Sequence, residues 1–200
     1  TERVIEKGDP GDAMYFISSG AVQVEIEPQP IWLGSGDFFG EVALLTQEPR
    51  NASVRAASYC QLLELQVADL YRLLATSDDL RTSLTRAASQ RLETEPLIRK
   101  VPLFSDLTDD RLTAIAQLLK PQLVAPGEYV VRQGEEGKSM YFIASGGLQV
   151  VVKPKSVLLA AGDFFGELAL LAHQPRSADV IATHYSQLLS LEARDLQQLM

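Results

Sequence analysis

Apolar and polar residues alternate along two separate stretches of the chain. Apolar side chains occupy every second position of residues 21–27, and residues 148–152 form a comparable but more apolar stretch. Because successive side chains of a strand point to opposite faces, the first pattern predicts a half-buried strand and the second a strand covered on both faces. Glycine- and proline-rich turns recur at residues 8–11, 28–30 and 34–36. This spacing of short strands and turns predicts a mainly β fold of the jelly-roll type.

Helical periodicity replaces this alternation in the middle of the chain. Apolar residues recur three and four positions apart in residues 68–74, 79–92 and 109–119. Ser77 stands just before the second of these segments, where its hydroxyl is suited to cap the first turn. Pro96 is expected to end helical structure after that segment. The sequence therefore predicts helices that flank the β regions.

The chain also repeats itself after a shift of about 126 residues. The segment 14–17 recurs at 140–143, and the segment 36–41 recurs at 162–167. Roughly half of the aligned positions are identical, which indicates two copies of one domain. The predicted fold is two tandem jelly-roll β-barrels, of the double-stranded β-helix kind, flanked by α-helices.

The alignment of the copies also predicts the domain bounds. The first domain is assigned residues 1–96, with helix 79–92 at its end, and the second residues 97–200, with helix 109–119 near its start. Within this sequence, each copy lacks the helix that the other has. We therefore expect the chain to be trimmed at both ends relative to a longer protein.

Composition narrows the possible functions. Among 200 residues, 18 are basic and 26 acidic, for a net charge of -8, which argues against a nonspecific nucleic-acid binder or a polybasic membrane module. One cysteine, Cys60, and two histidines, His173 and His184, are too few for a disulfide framework or a metal cluster. No apolar run is long enough for membrane insertion, and no signal peptide begins the chain. These features predict a cytoplasmic location, free or on the cytoplasmic face of a membrane protein, and no bound metal.

One segment in each copy departs from strand periodicity and carries candidate chemistry. In both copies a glycine and a glutamate, Glu41 or Glu167, open a short helical run. The unpaired N–H groups of a helix start favour an anion. Arg50 and Arg176 follow after a short loop and add a fork of donors suited to phosphate. The glutamate can only accept hydrogen bonds, which suits a sugar hydroxyl.

The run Phe-Gly-Glu-(Val/Leu)-Ala-Leu-Leu, followed by Pro-Arg-(Asn/Ser)-Ala, resembles the phosphate-binding cassette of cyclic nucleotide-binding domains. This is the family of catabolite activator protein, protein kinase A regulatory subunits and cyclic nucleotide-gated channels. The resemblance covers nearly the whole chain, and the motif sequence is most similar to that of bacterial channel and antiporter regulatory domains. It implies a ligand, cAMP or cGMP, and no cofactor or catalytic residue.

The resemblance implies roles for individual residues. The arginines would bind the exocyclic phosphate, the glutamates the ribose 2'-hydroxyl, the alanine N–H groups the rest of the phosphate, and the valines before the cassette the base. In copy one the implied site residues are Gly40, Glu41, Val42, Ala43, Arg50, Asn51, Ala52 and Val24. In copy two they are Gly166, Glu167, Leu168, Ala169, Arg176, Ser177, Ala178 and Val150.

Three positions affect how the copies are interpreted. Ser177 leaves cAMP and cGMP both open, whereas the larger Asn51 puts the affinity of copy one in question. Trp32 could stack on a base, although packing within its strand is the simpler expectation. Tyr59 and its counterpart Tyr185 are expected to pack in the core.

Four functions compete. The first is a non-catalytic sensor whose helices move on binding and regulate an attached or associated effector: a kinase, an esterase, or a channel or transporter in ion transport. A transcription regulator would need a basic helix-turn-helix segment, and a jelly-roll enzyme of the cupin kind would need clustered histidines; the sequence has neither. The alternative to the first is a pair of degenerate barrels, especially copy one, that serve only protein–protein contact. The oligomeric state is left open.

Overall fold

The computed structural model describes residues 2–46, 48–89, 94–152, 155–168 and 174–199. By its internal contacts the chain divides into two compact units, Thr1–Leu84 and Thr85–Met200. The expected bounds of 1–96 and 97–200 stay a prediction. Both units are mainly β with some helix, as the sequence predicts.

The first unit contains two antiparallel sheets. In spatial order the larger sheet consists of β1 (Arg3–Ile5), β6 (Ser53–Ala56), β3 (Ala21–Glu25) and β4 (Ile31–Gly34). The smaller sheet consists of β5 (Phe38–Phe39), β2 (Ala13–Ser19) and β7 (Gln61–Gln66). Its helices are α1 (Glu41–Thr46), α2 (Val67–Thr76) and α3 (Asp78–Ser89), the last of which extends beyond the unit's final residue.

The second unit repeats this arrangement and adds to it. One sheet consists of β12 (Lys155–Ala160), β11 (Gly147–Val152), β14 (Asp179–Ala182) and β9 (Tyr129–Val131). The other consists of β13 (Phe164–Phe165), β10 (Ser139–Ser145), β15 (Ser186–Glu192) and β8 (Lys120–Val124). Its described helices are α4 (Glu95–Arg99), a 3-10 turn (Pro102–Phe104), α5 (Asp109–Leu118) and α6 (Ala193–Leu199).

The core of each unit lies between its two sheets and follows the sequence repeat. In the first unit it contains Ile5, Ile17, Val22, Leu33, Phe39 and Val54. In the second it contains Val124, Val131, Ile143, Leu148, Phe165, Val180, Ala182 and Leu188. Val22 of β3 and its counterpart Leu148 of β11 are both fully buried. The same apolar positions therefore build both barrels, because strands of equal register present equal residues to the interior.

Two expectations about burial are wrong. Residues 148–152 are not fully covered on either face, since Val152, on the same face as the buried Leu148, is 50% exposed and Gln149 and Val151 on the other face are half-buried. Tyr59 is 99% exposed instead of packed in the core, whereas Tyr185 is buried as expected. These two aligned tyrosines therefore differ in burial although the repeat makes them identical.

The helix-start signals in the sequence correspond to helix starts in the structure. The Ser77 hydroxyl accepts a hydrogen bond from the Leu80 N–H at 3.2 Å and so caps α3. The predicted end of this helix, residues 90–92, lies outside the described residues. Near Pro96 a new helix begins: Thr94 precedes α4, and Pro96 lies in the first turn of that helix, where its missing N–H has no helical partner to lose.

Membrane-spanning and metal-binding features were sought in the part of the chain that the structure describes. Each helix there is too short or too polar to cross a bilayer. Within the same residues, no group of three or more histidine, cysteine, aspartate and glutamate side chains is placed to hold a metal ion. His173 lies outside the described residues.

Candidate functional site

In the first unit, Arg50 is fixed by backbone and side-chain hydrogen bonds. Its N–H donates to the Asp9 carbonyl and its own carbonyl accepts from the Gly8 N–H, both at 2.8 Å, so the loop before β6 is tied to the turn before β2. The guanidinium donates to the Ala13 carbonyl at 2.7 Å through Nη2 and to the Gly40 carbonyl at 2.9 Å through Nη1. Only 6% of Arg50 is exposed. The guanidinium therefore lies in a defined orientation immediately before α1.

Gly40 is required at this point for two reasons. Its φ of +86° belongs to the left-handed region that side-chain-bearing residues rarely adopt. A Cβ at this position would also lie 2.8 Å from Nη1 of Arg50. Glycine therefore lets the backbone turn into α1 while the guanidinium approaches closely.

The second unit repeats this geometry with Arg176. The Arg176 N–H donates to the Glu135 carbonyl at 2.8 Å, and its guanidinium donates through Nη2 to the Ser139 carbonyl at 2.7 Å. Gly166 has a φ of +81°, and a Cβ there would lie 2.5 Å from Nη1 of Arg176. Arg176 is half-buried, whereas Arg50 is buried. The arginine and the glycine that the sequence singles out are thus adjacent in both units.

The two glutamates differ in burial. Glu41 is the first residue of α1 and is fully buried. Glu167 is half-buried in the equivalent turn. A carboxylate at either position follows directly on the glycine that contacts the arginine. Donor and acceptor groups therefore sit close together along the chain in both cassettes.

The remaining predicted site residues fall into three groups by exposure. Buried or half-buried in the described structure are Val42, Ala43, Ala52, Ala178, Val24 and Val150. Exposed are Asn51, Ser177 and Leu168. Ala169 lies outside the described residues. The described alanines are thus buried, while the residue after each arginine faces solvent.

Val24 and Val150, the predicted base wall, occupy equivalent places in their sheets. Val24 of β3 pairs with Ile31 and Val54, and Val150 of β11 pairs with Val157 and Val180. Both valines pack against the core of their unit. Trp32 is 62% exposed while the next residue, Leu33, is buried, so the indole points away from that core. The structure therefore places Trp32 on the opposite face of the strand from its core-packing neighbour.

A stacked aromatic pair lies next to each cassette, since Phe39 and Phe165 directly precede the cassette glycines. The rings of Tyr15 and Phe39 lie 5.3 Å apart, and those of Tyr141 and Phe165 lie 4.9 Å apart. Arg176 lies over the Tyr141 ring, with its Cζ 5.6 Å from the centroid. Burial raises the pKa of Tyr15 above its ordinary value and the nearby Glu64 adds to this, while Arg50 acts in the opposite sense. Tyr15 therefore stays neutral and contributes its ring.

Asp12 is a site neighbour that the motif does not reveal. Its Oδ1 lies 3.6 Å from Nη2 of Arg50. The sequence held a signal for it, since the aligned residue of copy two is Lys138, a reversal of charge one position before the carbonyl that each arginine contacts. The two cassettes are therefore alike in backbone geometry and different in charge.

Comparison with known proteins agrees with the repeat. A family model described as the cyclic nucleotide-binding domain matches residues 1–77 and 121–200. A cAMP-dependent protein kinase regulatory subunit of Yarrowia lipolytica is 33% identical over 207 residues, covering 100% of this chain and 52% of the relative. A cGMP-dependent protein kinase of Caenorhabditis briggsae is 32% identical over 193 residues, covering 90% of this chain and 24% of the relative.

Among solved structures, the regulatory domain of Toxoplasma gondii PKA with cAMP is similar, with 29% identity, a TM-score of 0.47 and coverage of 100% of this chain and 78% of that one. The chain spans about half the Yarrowia subunit and a smaller part of the Caenorhabditis kinase. These relatives are kinase proteins, so they do not support the expected closeness to channel and antiporter domains or the link to ion transport.

Proposed function

The chain belongs to the cyclic nucleotide-binding domain family, and from this membership we propose that it is a non-catalytic sensor in which each unit binds cAMP or cGMP. The observation that carries the proposal is the arginine held against a glycine–glutamate pair in both units. Arg50 donates through Nη2 to the carbonyl of the first residue of β2, and Arg176 does the same to the first residue of β10. A guanidinium whose orientation is already fixed loses little freedom when it binds a phosphate.

In the proposed contacts, the arginine at the end of each cassette binds the phosphate and the glutamate at its start binds the ribose. Arg50 and Arg176 donate to the exocyclic phosphate oxygens, where charge-assisted bonds are strongest. Glu41 and Glu167 accept from the ribose 2'-hydroxyl, because an ionised carboxylate offers only acceptors. The backbone N–H groups near Ala43, Ala52, Ala169 and Ala178 donate to the remaining phosphate oxygens.

The base is proposed to lie against the half-buried valines Val24 and Val150. These side chains offer apolar contact that every purine accepts and therefore do not choose between adenine and guanine. The exposed Ser177 adds a hydroxyl beside the second cassette and leaves both nucleotides open. Asn51 adds a larger amide beside the first.

A kinase catalytic subunit or domain is the effector that the relatives favour. The Yarrowia protein is named as a regulatory subunit of a cAMP-dependent kinase and the Caenorhabditis protein as a cGMP-dependent kinase. In this proposal, binding moves the helices around each barrel, with α3 as the closing helix of the first unit, and the effector responds to that movement. A ligand can shift such an equilibrium only by its difference in affinity for the two states.

The alternative function is a degenerate first barrel that serves protein contact without binding a nucleotide. The observation that favours it is the Asp12 carboxylate beside Arg50, since an acidic group next to the arginine opposes a phosphate. Binding at the second unit alone would support this division of labour.

Isothermal titration of the chain with cAMP and with cGMP tests the proposal. We expect binding by the parent chain and a loss of roughly ten- to hundredfold in affinity at the second unit in Arg176→Ala, the scale of a hydrogen bond to a charged group. Arg50→Ala should do the same at the first unit, with circular dichroism to verify folding because its guanidinium also bonds two carbonyls. Lys155→Ala, an exposed residue of β12, is the control. Unchanged binding in both arginine variants would refute the cassette assignment.

A further inference from the structure

The residue that precedes the arginine-binding carbonyl has opposite charge in the two units. In the first unit Asp12 precedes Ala13, whose carbonyl accepts from Nη2 of Arg50. In the second unit Lys138 precedes Ser139, whose carbonyl accepts from Nη2 of Arg176. A position that is otherwise equivalent therefore carries a negative side chain in one cassette and a positive one in the other.

The backbone at this position is held in the same way in both units. The carbonyl of Asp12 accepts from the Val67 N–H at 2.8 Å, and the carbonyl of Lys138 accepts from the Ala193 N–H at 2.8 Å. Val67 and Ala193 are the first residues of α2 and α6. Because each backbone is tied to the same helix start, the two side chains leave the chain at corresponding points. The two units therefore differ at this position in side-chain charge but not in backbone hydrogen bonding.

The Asp12 carboxylate already interacts with the arginine. Its Oδ1 lies 3.6 Å from Nη2 of Arg50, with 79% of the Asp12 side chain exposed and 5% of the Arg50 side chain exposed. At this exposure the ion pair adds little to folding. Its effect on an incoming anion is different, because a fixed negative charge stands beside the group that must receive the phosphate.

Lys138 brings a positive charge to the equivalent position of the second unit, where the neighbouring Glu136 offsets part of it. Its Nζ lies 2.9 Å from Oε2 of Glu136, and both side chains are more than two-thirds exposed, at 71% and 74%. Glu136 aligns with the neutral Pro10 of the first unit. The net difference between the cassettes is therefore closer to one charge than to two, unless Lys138 leaves Glu136 for the phosphate.

We propose that the Asp12/Lys138 pair sets the relative anion affinity of the two units, so that the second unit binds the phosphate of a cyclic nucleotide more tightly than the first. This inference rests on the proposed function. Each removed or added charge is expected to change affinity by roughly threefold to tenfold at low salt, the scale of a solvent-screened charge at short range. The difference between units should shrink as salt rises.

The test measures the cAMP affinity of one unit at a time, in the whole chain, while the other unit is disabled. With Arg176→Glu present to disable the second unit by repelling the phosphate, cAMP titrations compare Asp12 with Asp12→Asn and Asp12→Lys. With Arg50→Glu present to disable the first unit, they compare Lys138 with Lys138→Met, Lys138→Asp and, separately, Glu136→Gln. Glu2→Gln and Glu2→Lys, on an exposed residue of the first unit, control for net charge.

We expect Asp12→Asn to strengthen binding, Asp12→Lys to strengthen it further, Lys138→Asp to weaken it and Glu136→Gln to strengthen it, with no effect in the Glu2 variants. Weaker binding in Asp12→Asn would overturn the inference, because it would mean that the carboxylate serves to orient Arg50. Equal shifts in the Glu2 variants would also overturn it and assign the effect to net charge. A parent chain that binds neither cAMP nor cGMP would refute the proposed function itself, whereas binding that is insensitive to these charges would refute this inference alone.

Discussion

The sheet of the first unit that contains β2 and β7 and the sheet of the second unit that contains β10 and β15 place aligned residues in very different surroundings. In the second unit β15 pairs with β10 on one side and β8 on the other, and α4, α5 and α6 pack a second core against this sheet. In the first unit β7 pairs only with β2 among the described residues. Leu189 of β15 is 2% exposed, and its counterpart Leu63 of β7 is 57% exposed.

The same contrast holds for the neighbouring aromatic residues. Phe142 is 1% exposed and its counterpart Phe16 is 36% exposed. Between the sheets, by contrast, Phe39 and Phe165 are both buried. The inner core is therefore a property of the repeat, whereas the outer face depends on elements that only the second copy has within this chain. Sequence identity between the copies therefore predicts burial in the inner core but does not predict burial on the outer face of the sheet.

The largest expected effect tests this contrast directly. Leu189→Ala should lower the free energy of unfolding of the second unit by about 3 kcal/mol, because it leaves a cavity in a closed core. Leu63→Ala should lower that of the first unit by less than about 1 kcal/mol, since much of its side chain is already in water. Urea unfolding followed by far-UV circular dichroism measures the first variant.

Trp32, the chain's one tryptophan, lies in the first unit, so its fluorescence follows the unfolding of that unit. It measures the loss of stability in Leu63→Ala and should show no change in Leu189→Ala. Equal losses in the two variants would show that Leu63 is covered by a partner in solution. The contrast between outer faces would then not describe the free protein.

Much of this architecture could be predicted from sequence, because its causes are local. Alternation marks β3 and β11, Ser77 marks the start of α3, and the repeat aligns the two inner cores. The glycine before each cassette arginine was likewise visible, since only glycine combines a positive φ with close approach of a guanidinium.

What the sequence did not predict depends on neighbours far along the chain. Tyr59 and Tyr185 are identical and aligned, yet only Tyr185 is buried. Asp12 approaches Arg50 across a long sequence separation, and the motif contains no residue that announces the contact. Patterns within a strand report which face is buried, but not whether another helix or strand covers the opposite face.

The second prediction concerns the contact between each glutamate and the ribose 2'-hydroxyl. The loss of affinity without that hydroxyl should differ between the units, because their glutamates differ in burial. At the first unit, 2'-deoxy-cAMP should bind roughly tenfold more weakly than cAMP, because the fully buried Glu41 would lose one hydrogen bond that water cannot replace there. At the half-buried Glu167 the penalty should be smaller, since water can take the place of the hydroxyl. Titration of both ligands into chains with one silenced unit measures each penalty.

Glu41→Gln and Glu167→Gln are the matched controls, since each should shrink the difference between cAMP and its deoxy analogue at its own unit. If the analogue binds either parent unit as well as cAMP does, that glutamate does not contact the ribose. A larger penalty at the second unit would reverse the ranking by burial.

The smallest expected effect concerns a hydrogen bond of a tyrosine hydroxyl in the first unit. The aligned residue of the second unit has no hydroxyl. The Tyr71 hydroxyl of α2 donates to the Leu44 carbonyl of α1 at 2.5 Å and so joins the helix after the barrel to the cassette. The aligned residue of the second unit is the exposed Gln197. Tyr71→Phe should lower the free energy of unfolding of the first unit by about 1 kcal/mol, the net value of one hydrogen bond.

Trp32 fluorescence in urea measures this change, and Tyr59→Phe provides the matched control because that ring is 99% exposed in the same unit. Since both variants remove one phenolic hydroxyl, any difference between them is due to the place of the hydroxyl in the fold. Equal stability of the two variants would mean that water replaces the bond to Leu44 at no cost, and α2 would then hold the cassette helix through apolar packing alone. A loss confined to Tyr71→Phe would instead make this bond a second feature, beside Asp12, by which the first cassette differs from the second.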